Sequence, residues 1–242
     1  MNKDIKVSII TVCYNSSNTI IDTFESMLKQ TYKNIEYIVV DGKSTDDTIK
    51  IIRKYEKKFD FEFKYISEKD NGIYDAMNKG INMATGEIIG MINSDDFYEP
   101  NAIQDIVNAY DNKKYEILYG MMRKIKNGKE LDVSIKSHEF LPEQMINHPT
   151  CFVTKDIYND FGKFDTNYKS SADYALMLQY FYNKDITFKP VYKIIANFRC
   201  GGMSSSQTGY RETLKLKLKY NIIGKKEYYY KKIKSHLYEL IK

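Results

Sequence analysis

Apolar residues in this chain fall into two alternating patterns. Val7 to Val12 is a short, unbroken, β-rich run, and behind it Ile20, Phe24, Met27 and Leu28 recur at helical spacing, with Asn18 placed to cap the helix. A second run, Ile35 to Val40, stops at Asp41-Gly42. After the polar stretch Lys43 to Asp47, Ile52, Tyr55 and Phe59 again fall on one helical face. The cycle repeats with Phe63 to Ile66 as a strand, Asp70-Asn71-Gly72 as a turn, a helix over Ile73 to Ala84, a stop at Gly86 and a strand over Glu87 to Ile92. Strands this continuously apolar, joined by helices, predict a parallel sheet covered on both faces, with ligands bound beyond the carboxyl ends of the strands.

The pattern changes after Pro100. A helix runs to about Tyr110, and Glu116 to Arg123 and Glu130 to Ile135 flank Lys126-Asn127-Gly128, a hairpin signal. No element is assigned between Ile135 and Ala172. Ala172 to Tyr182 is helical, with Tyr174, Leu178 and Phe181 on one side; Val191 to Phe198 is strand-like; Gly201-Gly202 and Ser204 to Ser206 form a flexible connection. From Arg211 onward, Leu214, Leu218 and Ile222 repeat every four residues among lysines. The expected fold class is therefore α/β: a mixed, mostly parallel sheet flanked by helices, with a basic C-terminal helical tail.

At 242 residues and 43% hydrophobic content, one domain with a terminal appendage is expected. No stretch approaches the roughly 20 apolar residues of a membrane span, and the N-terminus lacks a signal-peptide pattern, so a cytoplasmic protein is expected. The net charge is +5, but ten Lys and Arg against three Asp and Glu give the segment from Tyr210 to Lys242 a charge of +7, leaving −2 for the rest. A near-neutral body argues against nucleic acid as a partner. Cys13, Cys151 and Cys200 are widely spaced and form neither a disulfide framework nor a zinc pattern.

Asp41 and the pair Asp95-Asp96 each follow an apolar strand directly, which sets carboxylates on the ligand-binding edge. Hard oxygen ligands suit Mg²⁺ or Mn²⁺, which complete their shells with water and phosphate oxygens. Asp46 and Asp47 are better explained as helix-start carboxylates. Neither a G-x-G-x-x-G fingerprint nor a P-loop is present, so phosphates must be held otherwise. The first strand runs out as Thr11-Val12-Cys13-Tyr14-Asn15, without the aspartate nucleophile of a haloacid-dehalogenase-type phosphatase. The same stretch lacks the glycines and basic residues of a sugar-nucleotide pyrophosphorylase.

Three segments, Val7 to Asn15, Asp41-Gly42-Lys43-Ser44-Thr45-Asp46-Asp47-Thr48 and Asn93-Ser94-Asp95-Asp96, resemble the family 2 glycosyltransferases of the GT-A fold. Glu68 to Ile81, containing Asp70-Asn71-Gly72-Ile73-Tyr74-Asp75-Ala76, and Asn197 to Ser204 are similar to members that build bacterial surface polysaccharides. The resemblance spans about residues 5 to 206. It implies a glycosyltransferase domain over 1–206, with a nucleotide-binding half at 1–98 and an acceptor half at 99–206, followed by the tail at 207–242.

The resemblance further implies a role for each matching residue. Tyr14 would stack near the base, Asp41 would contact base or ribose, Asp95 the ribose or a metal-bound water, and Asp96 the Mn²⁺ or Mg²⁺ that bridges the diphosphate. Asp173 matches the general base of an inverting transfer from a nucleotide-diphosphate sugar, a UDP-sugar in first place, to a hydroxyl of a saccharide or lipid-linked saccharide. Gly42 stands where some members carry a second aspartate. Asn78 and Arg199 are further candidates for the nucleotide, with Arg199 beside a loop able to close over the diphosphate, and His148 for phosphate or acceptor. The competing reading is a sugar-nucleotide- or glycan-binding module without catalysis. The basic tail suits either an anionic membrane surface, and so a peripheral location, or packing of its apolar stripe on the body.

Overall fold

A computed structural model describes residues 4–201 and 207–241. The expected connection at Gly202 and Ser204 to Ser206 lies outside the described residues. The first half follows the predicted cycle: β1 (Val7–Cys13), α1 (Ile20–Leu28), β2 (Ile35–Asp41), α2 (Thr48–Glu56), β3 (Glu62–Ser67), α3 (Ile73–Met83) and β4 (Ile88–Met91). The second half comprises β5 (Phe97–Tyr98), α4 (Ala102–Ala109), the hairpin β6 (Glu116–Lys126) and β7 (Lys129–Ser134), β8 (Cys151–Thr154), α5 (Lys155–Phe161), α6 (Ala172–Phe181) and β9 (Thr187–Arg199). Two helices, α7 (Gln207–Lys219) and α8 (Lys225–Ile241), close the chain.

All strands belong to one sheet in the order β3-β2-β1-β4-β8-β6-β9-β5, with β7 paired to β6. The first four pair in parallel, and β8 enters antiparallel between β4 and β6. Side chains alternate faces along each strand. Val7 and Ile9 of β1 and Tyr37 and Val39 of β2 point to a layer with Phe24, Ile52 and Ile106 of α1, α2 and α4. Ile10, Val12, Ile38 and Val40 point to the opposite layer with Met77, Leu176 and Leu178 of α3 and α6. Gly80 lets α3 lie this close, since a Cβ there would stand 2.5 Å from Ile10 Cγ2. The expected architecture, a mixed and mostly parallel sheet flanked by helices, is the one observed.

Three local expectations are corrected. The cap of α1 is Thr19, not Asn18, and its side chain makes no capping bond to the helix. The strand expected at Val191 begins at Thr187 and runs through Pro190, which is accommodated beside a register shift between Gly120 and Met121 of β6. The tail is a helical hairpin instead of one amphipathic helix. Its first member packs on the body: Leu214 and Leu216 are buried, Leu216 within the core layer of α3 and α6. Leu218 and Ile222 are only half-buried, so the predicted stripe is rotated toward Leu216.

Candidate active site

The carboxyl ends of β1 and β2 meet in register, Cys13 opposite Asp41, and the loops that leave them are laced together. Asn15 donates its backbone N–H to Ser44 Oγ at 2.8 Å, and its side-chain oxygen accepts the Thr45 N–H at 2.8 Å. Asn15 and Lys43 both take left-handed backbone conformations, φ 50° and 65°, strain that a surrounding network must hold in place. Tyr14 rises from this floor 62% exposed, available to stack on a planar ligand. Asp46 accepts from the backbone of Ser17 and Thr48, tying the two loops, and Asp47 pairs with Lys50 at the surface.

Asp41 is 0% exposed, against the expectation of a direct contact to base or ribose. It accepts the Ser44 N–H at 3.0 Å, the Ser44 hydroxyl, the Ser67 hydroxyl at 2.6 Å and the Cys13 thiol at 3.7 Å. A carboxylate so fully engaged anchors the 42–48 loop from below. The carboxylate that reaches the rim is Asp70. Its Oδ2 lies 2.5 Å from where a Cβ on Gly42 would stand, and the Tyr14 ring lies 3.4 Å from the same point. Asp70 therefore fills the space of the second aspartate that Gly42 lacks, a role invisible to strand-end reasoning because Asp70 arrives from beyond β3.

Beyond β4 the chain turns through Asn93 to Asp96 and re-enters the sheet as β5. Phe97 pairs with Asn197 of β9, which brings Arg199 alongside the acidic pair. Asp96 is 0% exposed and accepts the Arg199 backbone N–H at 2.9 Å and the Asn93 amide at 3.3 Å. Burial first, and then the charge of Asp95, push Asp96 up to about 7, and burial likewise raises Asp95. Adjacent carboxylates, one buried and one half-buried and both destabilised as anions, gain from a divalent cation, and their hard oxygens suit Mn²⁺ or Mg²⁺. No group of three or more acidic, His or Cys side chains forms a closed metal cage among the described residues. The Arg199 guanidinium is held by Asp22, by the Asp95 carbonyl at 3.2 Å and over the Phe97 ring at 5.2 Å.

The second carboxylate centre forms where the N-terminal turns of α3 and α6 face each other. Asp173, in the first turn of α6, accepts the Tyr74 hydroxyl at 3.0 Å. Tyr74 stacks on Phe164 with ring centroids 5.5 Å apart, and His148 meets the other side of this cluster edge-on, 5.8 Å from Phe164. Burial lowers the His148 pKa while the Asp173 charge opposes the shift, and the same charge reaches Cys151, which places His148 near Asp173. Asn78, expected at the nucleotide, instead clamps this cluster. Its amide donates to the Phe164 carbonyl at 2.9 Å and accepts the Phe164 N–H at 3.1 Å. Tyr74 was not among the residues singled out from sequence, although its motif was.

Both centres lie at the same end of the sheet. Phe152 of β8 stands opposite Gly90 of β4, which sets Cys151 and His148 toward the end where β4 runs into the acidic loop. One edge thus offers an aromatic rim, a cation-ready pair and a hydrogen-bonded carboxylate.

A family model described as glycosyl transferase family 2 matches residues 8–185. A glycosyltransferase of Rickettsia prowazekii, described as uncharacterized, is 33% identical over 75% of this chain and 60% of its own length. Chondroitin synthase of Escherichia coli is 30% identical over 83% of this chain and 30% of its own length. The chain spans about 60% or less of these two relatives. Among solved structures, a fragment of S. aureus TarS in complex with UDP-GlcNAc superposes with a TM-score of 0.71 at 22% identity, over 88% of this chain and 65% of that one. The Pyrobaculum calidifontis mannosyltransferase PcManGT, in complex with GDP-Man and Mn²⁺, gives 0.66 at 17% identity, over 91% and 65%. These likenesses show the GT-A fold.

Proposed function

The chain belongs to glycosyl transferase family 2, and from that premise we propose that this glycosyltransferase moves a sugar from a UDP-sugar to a saccharide hydroxyl, in a divalent-metal-dependent, inverting displacement. The observation that carries the reading is the pair of a half-buried Asp95 and a fully buried Asp96 in the loop beyond β4, facing the same sheet edge as Asp173. UDP is favoured because a fold neighbour is described with UDP-GlcNAc, and polysaccharide synthesis because relatives include a chondroitin synthase.

Tyr14 and Asp70 frame the base, and the loop anchored by Asp41 supports them. Asp96 and Asp95 hold Mn²⁺ or Mg²⁺, which when bound supplies Lewis-acid stabilisation of charge on the departing diphosphate. Arg199 adds a fixed positive charge beside the same group. On the other side of the anomeric carbon Asp173 accepts the proton of the attacking hydroxyl, a contribution of typically 10²- to 10⁴-fold. Tyr74 holds that carboxylate in position.

No described helix is long and apolar enough to cross a membrane. With α7 packed on the body, peripheral attachment falls to α8, where Tyr230, Ile233 and Leu237 are exposed alongside the exposed Lys226 and Lys234. A cationic face with an apolar ridge suits an anionic bilayer and would hold the enzyme near lipid-linked acceptors on the cytoplasmic side.

The test is calorimetric titration with UDP, GDP, CDP and dTDP, with and without Mn²⁺, followed by NMR of the product anomer. Metal-dependent binding of UDP, abolished by Asp96→Ala, is the expected result. Equal binding of all four without metal would overturn it.

A further inference from the structure

The helix α7 is fastened to the turn that carries Asp173. Glu212 accepts three consecutive backbone N–H groups, those of Lys169, Ser170 and Ser171, at 2.8, 2.9 and 3.0 Å. Ser171 donates its hydroxyl to the Gly209 carbonyl at 3.0 Å, and Lys217 donates to the Glu143 carbonyl at 2.6 Å. Between α7, the 143–145 loop and the start of α6 lies an open cleft of about 470 Å³, and Asp173 is in its wall. That volume is in the range of small-ligand sites, roughly 300–1,000 Å³.

The chemistry of the walls selects the occupant. Glu143, Gln144, Gln207 and Thr213 offer carboxylate, carboxamide and hydroxyl groups, and Tyr210 presents a ring that is 44% exposed. Gln207 is oriented by Ser235 of α8, whose hydroxyl donates to its side-chain oxygen at 2.7 Å. Paired donors and acceptors beside one accessible aromatic face match a sugar ring, whose hydroxyls need partners around its edge while its C–H face packs on an aromatic. Gln207, Tyr210 and Thr213 all lie past residue 185, where the family match ends.

We propose that this cleft is the acceptor site, that it takes the terminal sugars of an oligosaccharide with the reacting hydroxyl at Asp173, and that Tyr210 and Gln207 of α7 determine which sugars it accepts. This rests on the transferase reading above and adds that α7 is part of the active site instead of an appended tail. The recognised chemistry is the saccharide itself, whether free or carried on lipid.

The experiment uses the full chain on an array of immobilised oligosaccharides covering hexoses, N-acetylhexosamines, deoxyhexoses and uronic acids, run with and without UDP and Mn²⁺. The best binder is then titrated calorimetrically, as the free sugar and as its octyl glycoside, against wild type, Tyr210→Ala and Gln207→Ala. We expect each variant to lose tenfold or more in affinity for both forms of the sugar while UDP affinity stays within twofold of wild type. Unchanged sugar binding in both variants, binding confined to the octyl form, or no binding to any array sugar would overturn the proposal. Loss of UDP binding by wild type would instead overturn the donor reading, and the sugar titration without UDP separates the two failures.

Discussion

The Tyr74 hydroxyl donates a 3.0 Å hydrogen bond to the Asp173 carboxylate, joining the first turn of α3 to the first turn of α6. With Phe164 stacked behind it, the phenol fixes the direction of the carboxylate. Tyr74→Phe retains the stacking and removes the donor alone. Its kcat should fall about tenfold with donor KM unchanged, as expected for a hydrogen bond worth about 1.4 kcal/mol. Asp173→Asn should lose roughly 10²-fold or more. A Tyr74→Phe enzyme with the kcat of wild type would mean that the bond is merely structural.

Asp96 illustrates a conflict between fold and function. It is fully buried next to another carboxylate, and both are destabilised as anions. Asp96→Asn keeps the shape and removes the charge, so in EDTA the variant should be the more stable by about 1–3 kcal/mol, a rise of a few degrees in Tm. Mn²⁺ with UDP should raise the wild-type Tm and leave the variant unmoved, reversing the order. Differential scanning fluorimetry in both buffers checks this. Equal melting in EDTA would show that water already relieves the buried charge.

Gly42 and Asp70 form a second pair whose identities are coupled. With Asp70 Oδ2 at 2.5 Å from a would-be Cβ, Gly42→Asp sets two carboxylates in one space and should cost UDP affinity tenfold or more. Asp70→Ala should also weaken UDP, by removing the rim carboxylate. The double variant restores one carboxylate in that space and should bind better than either single variant. An additive double-mutant cycle in the titration would refute the coupling.

The first half of the fold was legible because its strands are continuous apolar runs with caps and turns between them, and the strand-end aspartates followed from the same pattern. What escaped was set by tertiary structure. The four residues of β8, Cys151–Thr154, are too short to show periodicity and are a strand only because β4 and β6 flank them. Asn78 and Asp41 carry polar groups suited to ligands, yet contacts to Phe164 in one case and to Ser44 and Ser67 in the other use them as fasteners. Tyr74 looks like an ordinary core aromatic until α6, some hundred residues on, brings Asp173 to its hydroxyl. The tail shows the limit most clearly: spacing by fours predicted its helix, and only packing shows that Leu216 faces the core.

His148 gives a pH prediction with a definite sign. Burial lowers its pKa from the ordinary 6.5, with only the charge of Asp173 opposing. The unfolded chain therefore takes up this proton before the folded one does. The contribution to stability is complete above about pH 6.5 and is lost as pH falls from there toward the lowered value, at about 1.4 kcal/mol per unit of separation. Denaturant titrations at pH 7.5 and 5.5 should show wild type losing more stability between them than His148→Asn, which has no proton to take up. Identical losses would place the acid sensitivity elsewhere, for example at His138, which is also shifted down by burial.

Glu212 ties the tail to the turn that carries Asp173, and its removal should separate binding of the donor from chemistry. Its carboxylate gathers the N–H groups of Lys169, Ser170 and Ser171, the residues that lead directly into the first turn of α6. Glu212→Ala leaves three backbone donors without this partner, at a cost of about 1–3 kcal/mol to the local structure, and frees the turn that aims Asp173. Since Tyr14, Asp70 and Asp96 sit on other elements, UDP affinity should stay within twofold while kcat falls tenfold or more, a misplacement effect on a positioned base. Glu212→Gln retains one acceptor oxygen and should recover part of that loss. A variant that lost UDP affinity and turnover together would indicate that α7 supports the whole fold, whereas one with normal turnover would detach the tail from the active site altogether.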